Sequence, residues 1–214
     1  MPADPSPASE PVGKSSKGGR AQQRAETRER LYQAALREFR EVGFADSQVD
    51  RIVRAAGVAR GTFYFHFPSK DDVLLELARR NAARVARRLA ALGETKPGLR
   101  ELLLRMNDAM LDENGRVGEA GLLGDMLALY MRRPFDLESV DSPDTPSMAG
   151  ALTRRLRELA DRGELNTRLP PERLAIMILS SLFGVYTRLR PGEEQRRTCE
   201  SLIDLLVKGL QADH

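Results

Sequence analysis

Apolar positions recur every three or four residues along most of the chain, and no stretch carries the alternation of a strand. Leu31, Ala34, Ala35, Phe39 and Val42 share one stripe, while Arg28, Arg30, Arg37, Glu38 and Arg40 fall mostly elsewhere on the wheel. This spacing predicts a helix from about Arg24, with Gly43 as its stop. Ser47-Gln-Val-Asp50 reads as a capping box, a hydroxyl for the free amides and an acid three residues on. It opens a short helix with Val49, Ile52, Val53 and Ala56 inward, ended by Gly57. Val58 to Phe67 is too short and too aromatic to stand alone, so it must pack on its neighbours, and Pro68 closes it. Ser69 then caps a helix with Asp71 and Asp72 in the first turn, running through Val73, Leu74, Leu77, Ala78 and Val85 towards Leu92.

Beyond a break at Gly93 to Gly98, Leu99 to Leu111 is amphipathic, with Leu103, Met106 and Met110 on one stripe. Gly115, Gly118, Gly121 and Gly124 recur at every third residue without prolines and without a phosphate-loop spacing, and predict a poorly helical connector or short helix. Such a connector is able to act as a hinge. Leu122 to Met131 resumes as helix, and Pro134 to Ser147, with three prolines and four acids, reads as a long loop. Three further helices follow: Met148 to Arg162, Pro171 to about Arg188, and Glu193 to Leu210. The fold class is all-α, with roughly nine or ten helices.

Composition sharpens this picture. Residues 1–22 are rich in Pro, Gly and Ser and read as a disordered basic arm, either a solvated tail or an arm able to enter a DNA minor groove. The net charge of +3 hides an asymmetry. Arg20 to Ala90 holds 15 basic and 9 acidic residues, net +6, whereas Ala91 onwards holds 17 basic and 20 acidic, net −3. A basic head on an acidic body suits contact with DNA.

The same inventory narrows the chemistry. One cysteine, Cys199, excludes an intrachain disulfide and a multi-Cys zinc site. Two histidines, His66 and His214, leave no material for a His-cluster metal centre. No Ser-His-Asp set or Cys-His pair emerges, so no enzyme, metal or cofactor is expected. The longest apolar run, Leu174 to Tyr186, is 13 residues and suits a buried helix rather than a membrane span. Met1 to Gln23 lacks the apolar core of a signal peptide. A soluble, cytoplasmic protein is expected.

Three short helices with a glycine turn, followed by an abrupt fourth, match a helix-turn-helix unit. Between Gly43 and Leu74 stand Ala56-Gly-Val58, Gly61-Thr-Phe-Tyr64, His66-Phe67 and Ser69-Lys70. At this spacing the segment from about Arg24 to Leu77 resembles the DNA-binding domain of TetR-family transcriptional repressors. The resemblance implies three parts: the arm, a DNA-binding domain over 23–75, and a larger helical ligand-binding and dimerisation domain over 76–214. It implies DNA contacts at Ser47 and Gln48, at Arg60, Gly61 and Thr62, and at Tyr64, His66 and Lys70. Arg60 is the candidate for bidentate guanine reading, and Lys70 for a phosphate contact that carries no sequence choice. Two departures stand out. Ala59 replaces the usual capping Ser or Thr, and Phe65 has no group with which to hydrogen-bond a base edge.

The resemblance also implies a homodimer on a palindromic operator, with recognition helices about 34–36 Å apart. It assigns the dimer bundle to Met148–Arg162 and Pro171–Arg188, where Ala175, Ile178, Leu179, Leu182 and Gly184 suit close packing; an intramolecular core is the alternative. It further implies an inducer pocket. The candidate wall residues are Met106, Met110, Leu123, Met126, Leu127, Tyr130, Phe135 and Phe183, a set equally consistent with plain core. The reading is a repressor released from DNA by a small apolar molecule. A regulator with no such ligand, controlled by a partner protein or its own abundance, is the alternative.

Overall fold

The computed structural model describes residues 16–92, 95–118, 122–132 and 147–210. Among them the chain forms nine helices. Helices α1 (Ser16–Asp46), α2 (Val49–Ala56) and α3 (Arg60–His66) build the head. Helix α4 (Lys70–Ala91) leads into a body of α5 (Leu99–Gly118), α6 (Leu123–Met131), α7 (Met148–Asp161), α8 (Pro171–Arg188) and α9 (Glu193–Leu210).

The head core is aromatic. Phe39, Phe63 and Phe67 are essentially inaccessible and pack with Leu31, Ile52 and Leu74. Phe39 meets Phe44 edge-on at 5.1 Å between centroids. In the body α4 packs against α5, α6 and α7, α7 against α8, and α9 against α5 and α8. Helix α4 runs unbroken past residue 75, so head and body share one helix.

Two local expectations are corrected. Chain up to about residue 22 was expected to be unstructured, but α1 begins at Ser16 and propagates through Gly18 and Gly19. The Gln- and Ala-rich turns that follow favour helix, and Gln22 donates to Glu26 one turn on at 3.1 Å. Helical geometry breaks at Gly43, whose backbone (φ 82°, ψ 161°) lies outside the helical region. The glycine series, expected as a poorly helical connector or short helix, begins in the last turn of a long one: α5 extends through Gly115 to Gly118. Each glycine costs roughly 1 kcal/mol against alanine, but Glu113 and Asn114 beside it are buried against the bundle and hold the turn. Gly121 lies outside the described residues, as does most of the expected loop from Pro134.

Ser69 and Asp72 form the expected cap of α4. The Asp72 carboxylate accepts from the Ser69 backbone N–H at 2.9 Å and from its hydroxyl at 2.7 Å.

A charged clamp joins α1 to α4. Arg28 donates through both terminal nitrogens to Glu76, each at 3.2 Å. Arg80 donates to Glu29 at 3.1 and 2.7 Å and to Glu76 at 3.0 Å, and its guanidinium lies 3.9 Å from the Tyr32 ring centre. Burial alone would push the Glu76 carboxyl up, but the hydrogen bonds from Arg28 and Arg80 outweigh it and hold it below its usual 4.5. Arg80 likewise lowers Glu29. A depressed carboxyl adds stability that is fully present above its unfolded pKa and is lost as pH falls through the folded one. Glu76→Gln is therefore expected to lower the melting temperature at pH ~7 and to match the parent near pH ~3; an equal deficit at both pH values in thermal melts would show that the clamp contributes nothing through charge.

Candidate functional site

The turn between α2 and α3 is fixed by Gly57, whose backbone (φ 66°, ψ 40°) is left-handed. Its N–H donates to the Arg54 carbonyl at 3.2 Å, and the next N–H, of Val58, reaches the Val53 carbonyl at 3.0 Å. This pattern ends α2 sharply and needs glycine. Helix α3 then starts at Arg60 behind Ala59, which supplies no side-chain cap, as the sequence implied.

Burial of Phe63 and Phe67 fixes the orientation of α3. Arg60, Gly61, Tyr64 and Phe65 are left facing outward, with Thr62 and His66 half-buried at the flanks. Phe65 is 64% exposed, a large apolar ring in solvent. The Arg24 guanidinium of α1 lies 4.6 Å from its centre, a partner that the sequence reading missed. Arginines at 20, 24 and 28, four apart, were the available signal. Arg60 is tethered in the free protein. It donates to the Asp50 carboxylate of α2 at 2.6 Å and to the Tyr64 hydroxyl at 3.4 Å. Both ends of the Arg60–Asp50 pair are well exposed, so the tether is weak enough to exchange for another acceptor.

Ser47, Gln48, Arg60, Tyr64 and Lys70 converge with Asp50 and Ser69 around one shallow groove. Gly61, Thr62 and His66 lie on α3 outside that lining. Two roles within the groove differ from expectation. Ser47 is not a helix cap. The cap position belongs to Gln48, and no side chain caps α2. The buried Ser47 hydroxyl instead donates back to the Phe44 carbonyl at 2.7 Å, and the Gln48 N–H is taken by the Glu38 carboxylate at 3.2 Å. Lys70 is also committed internally. Its ammonium reaches the carbonyls of Phe44 (3.0 Å), Ala45 (3.3 Å) and Ser47 (2.7 Å) and the Ser47 hydroxyl (3.0 Å). A cation on the carbonyls that close α1 is a C-terminal cap supplied from another helix.

The body holds a small, partly open cavity of about 30 Å³. Its wall takes Met110, Met126, Leu127 and Phe183 from the expected set. Met106 and Leu123 are buried but lie off that wall, in the packed core. Only the helical placement of Tyr130 in α6 is described, and Phe135 lies outside the described residues. Sequence reading missed Ala78, Asn81, Ala82 and Val85 of α4, together with Asn114 and Met148. Two asparagines on otherwise apolar helix faces were the available signal.

Among the described residues no group of His, Cys, Asp and Glu could hold a metal ion. No described helix is long and apolar enough to cross a membrane.

A helix-turn-helix head with an outward-facing basic and aromatic recognition helix, set on a helical body, defines a DNA-binding regulator. Residues 31–77 match the family described as bacterial regulatory proteins, tetR family. The chain is 26% identical over 176 residues to the HTH-type transcriptional repressor AcnR of Corynebacterium efficiens, covering 82% of this chain and 88% of that protein. It is 28% identical over 175 residues to the HTH-type transcriptional regulator TtgR of Pseudomonas putida, covering 76% and 80% respectively. The crystal structure of Thermus thermophilus FadR, a TetR-family repressor in complex with lauroyl-CoA, shares the fold with a TM-score of 0.71 at 23% identity, over 87% of this chain and 96% of that one. These likenesses support a TetR-family transcriptional regulator, the family match itself lying on residues 31–77.

Lys70→Met separates the two roles open to this residue. Losing the cap should destabilise the head by about 1–3 kcal/mol in urea denaturation, the range for a hydrogen bond to a charged group. It should leave the salt dependence of DNA binding unchanged. A slope shallower by about one charge, with stability intact, would instead assign Lys70 to a phosphate.

Proposed function

We propose that the protein is a homodimeric transcriptional repressor that leaves a palindromic operator when a small molecule enters the body cavity. The observation that carries the DNA-binding half is the outward row on α3. Arg60 and Tyr64 stand free of the core on a helix whose buried side is locked by Phe63 and Phe67. Arg60 offers the planar fork that matches guanine in the major groove. Gly61 and Thr62 lie in the first turn, where backbone and hydroxyl meet phosphate. Tyr64 and Phe65 supply rings for thymine methyls or the sugar edge. Gln48 and His66 flank the row within reach of phosphate, and Ser47 holds Lys70 behind it.

The dimer reading rests on apolar surface. Helix α7 buries one face, Met148 to Thr153 with Leu156 and Leu159, in its own body, and its exposed positions are Arg154, Arg157, Glu158, Ala160 and Asp161, mostly charged. Among the described residues of the body, the large exposed apolar side chains are Met177 of α8 at 51%, Leu205 of α9 at 70% and Leu169, just before α8, at 38% exposure. Around Met177 the open face of α8 carries Ser180, Ser181 and the half-buried Gly184, small residues that permit close approach. We place the dimer contact on α8 and α9.

Release follows from the shared helix. A ligand that widens the cavity must move the α4 wall, and α4 begins at the head. Such a ligand binds the DNA-incompetent state more tightly and shifts the population towards it. The small cavity volume favours the second reading, a regulator without a ligand, to the extent that the body stays closed.

Selection of binding sites from random duplexes at fixed, near-physiological salt tests the first part. An enriched palindrome is expected; enrichment of nothing by folded protein would overturn sequence-specific reading. Arg60→Ala should keep the fold, since the side chain is exposed, and should weaken the selected site by about 1–3 kcal/mol while relaxing one base position.

His66 gives a pH signature. Burial first, and the charges of Arg24 and Arg28 next, lower it below its usual 6.5, so the free protein holds it neutral at pH ~7. A phosphate beside it favours the charged ring, and binding then takes up a proton. Affinity should rise as pH falls from ~7.5 to ~6, and His66→Gln should flatten that rise; equal profiles in fluorescence anisotropy would remove His66 from the interface.

A further inference from the structure

We propose that the body cavity selects an apolar molecule whose polar end is an oxygen acceptor, a carbonyl or a carboxylate, bound by the side-chain amide of Asn114. This rests on the ligand-responsive reading above and gives it a chemistry.

The wall is mostly apolar, with Met110, Met126, Met148 and Phe183 around it. Methionine side chains adapt to varied shapes, so they set little beyond hydrophobicity. Selectivity falls to the two polar residues on the wall, Asn81 and Asn114, which are 6% and 7% exposed. An amide presents a donor on one side and an acceptor on the other, so its orientation decides what it recognises.

That orientation is fixed from outside the cavity. Arg84 has donors only, and its Nη2 donates to Asn81 Oδ1 at 2.9 Å. The Asn81 oxygen therefore faces Arg84, and its nitrogen faces inward. Asn81 Nδ2 donates to Asn114 Oδ1 at 3.4 Å. The Asn114 oxygen is thus occupied, and its nitrogen is the group left over. Asn114 Nδ2 is buried with no partner among the described residues. Arg84 cannot swing away freely to undo this order. Its Nε donates to the buried carboxylate of Glu113 at 2.5 Å, which also faces Arg88 at 3.5 Å and Arg116 at 3.3 Å.

The chain Glu113, Arg84, Asn81, Asn114 therefore ends in one unpaired donor, on a residue that lines the apolar cavity and also borders a polar surface pocket beside Gly115 and Arg196. A molecule bearing only donors leaves that N–H unpaired and adds an unpaired group of its own. A molecule bearing an acceptor satisfies it. One water is a poor competitor, because it meets a single donor and otherwise apolar walls.

Isothermal titration of the intact protein with three probes of like length, each below its micelle concentration, tests this: methyl octyl ketone, decanoate and decylammonium. The ketone and decanoate should each bind at least about tenfold more tightly than decylammonium, roughly the cost of an unmade hydrogen bond. Their ranking tells a neutral from an anionic acceptor. Asn114→Leu combined with Asn81→Leu, which removes the unpaired donor without leaving the Asn81 amide N–H unpaired in its place, should erase the preference. Arg84→Met frees both amides to turn over and should reduce the preference with Asn114 still present. Equal binding of all three probes, or a preference that survives both substitutions, overturns the acceptor assignment and leaves the cavity as a site. Binding of none, by protein that still binds its selected DNA, overturns the ligand-responsive reading itself.

Discussion

Everything in this molecule hangs on one helix that is buried at both ends in two different cores. At its start α4 places the Lys70 ammonium on the carbonyls that close α1. One to three turns later Glu76 and Arg80 grip Arg28, Glu29 and Tyr32. Beyond that, Ala78, Asn81, Ala82 and Val85 form the wall of the body cavity. The head is therefore not tethered by a linker. Its orientation is set by side-chain bonds to a rod whose far half belongs to another core. Packed interiors shift between discrete arrangements and do not bend continuously. A displacement at the cavity is carried along this rod to the contacts it makes with α1.

The polarity of these bonds also matters. The α1–α4 contact joins buried apolar packing around Leu31 and Leu74 to ion pairs that are only partly buried, and these pairs are modest in strength and sensitive to solvent. The cores on either side are apolar and strong; removing a ring such as Phe63 would cost about 3–5 kcal/mol. Two robust units joined by a weaker charged seam can reorient without either unfolding. This is the mechanical requirement for a switch, and it follows from which residues sit at the seam.

Much of this was legible in the sequence, because helix periodicity and glycine punctuation are local signals. The helices around Leu31, Ile52, Leu74 and Leu103, the turn at Gly57 and the Ser69–Asp72 cap all follow from spacing. What escaped was every feature that depends on side chains far apart in sequence. Lys70 looks like a surface lysine until α1 is folded against it. Ser47 carries a cap signature, yet the nearby Phe44 carbonyl and Lys70 claim its hydroxyl. Asp50 reads as a first-turn acid and serves as the Arg60 anchor. Asn81 and Asn114, 33 positions apart, gave no sign that they share a wall. Local propensity also misjudged the ends of helices. Gly18, Gly19 and Gly115 read as breakers, but cooperative propagation and burial of adjacent residues carry helix through them.

The Asp50–Arg60 tether has a consequence for how the protein searches a genome. A guanidinium already neutralised by its own carboxylate adds little to attraction for phosphates at random positions. On the proposed reading, any DNA acceptor must displace Asp50 from the fork, and a base edge with two acceptors at the right spacing does so with the better geometric match. Discrimination then arises from weak residence on wrong sequences as much as from tight hold on the right one. On that reading selectivity is tuned from within the head, by an acid on the helix next to the one that reads.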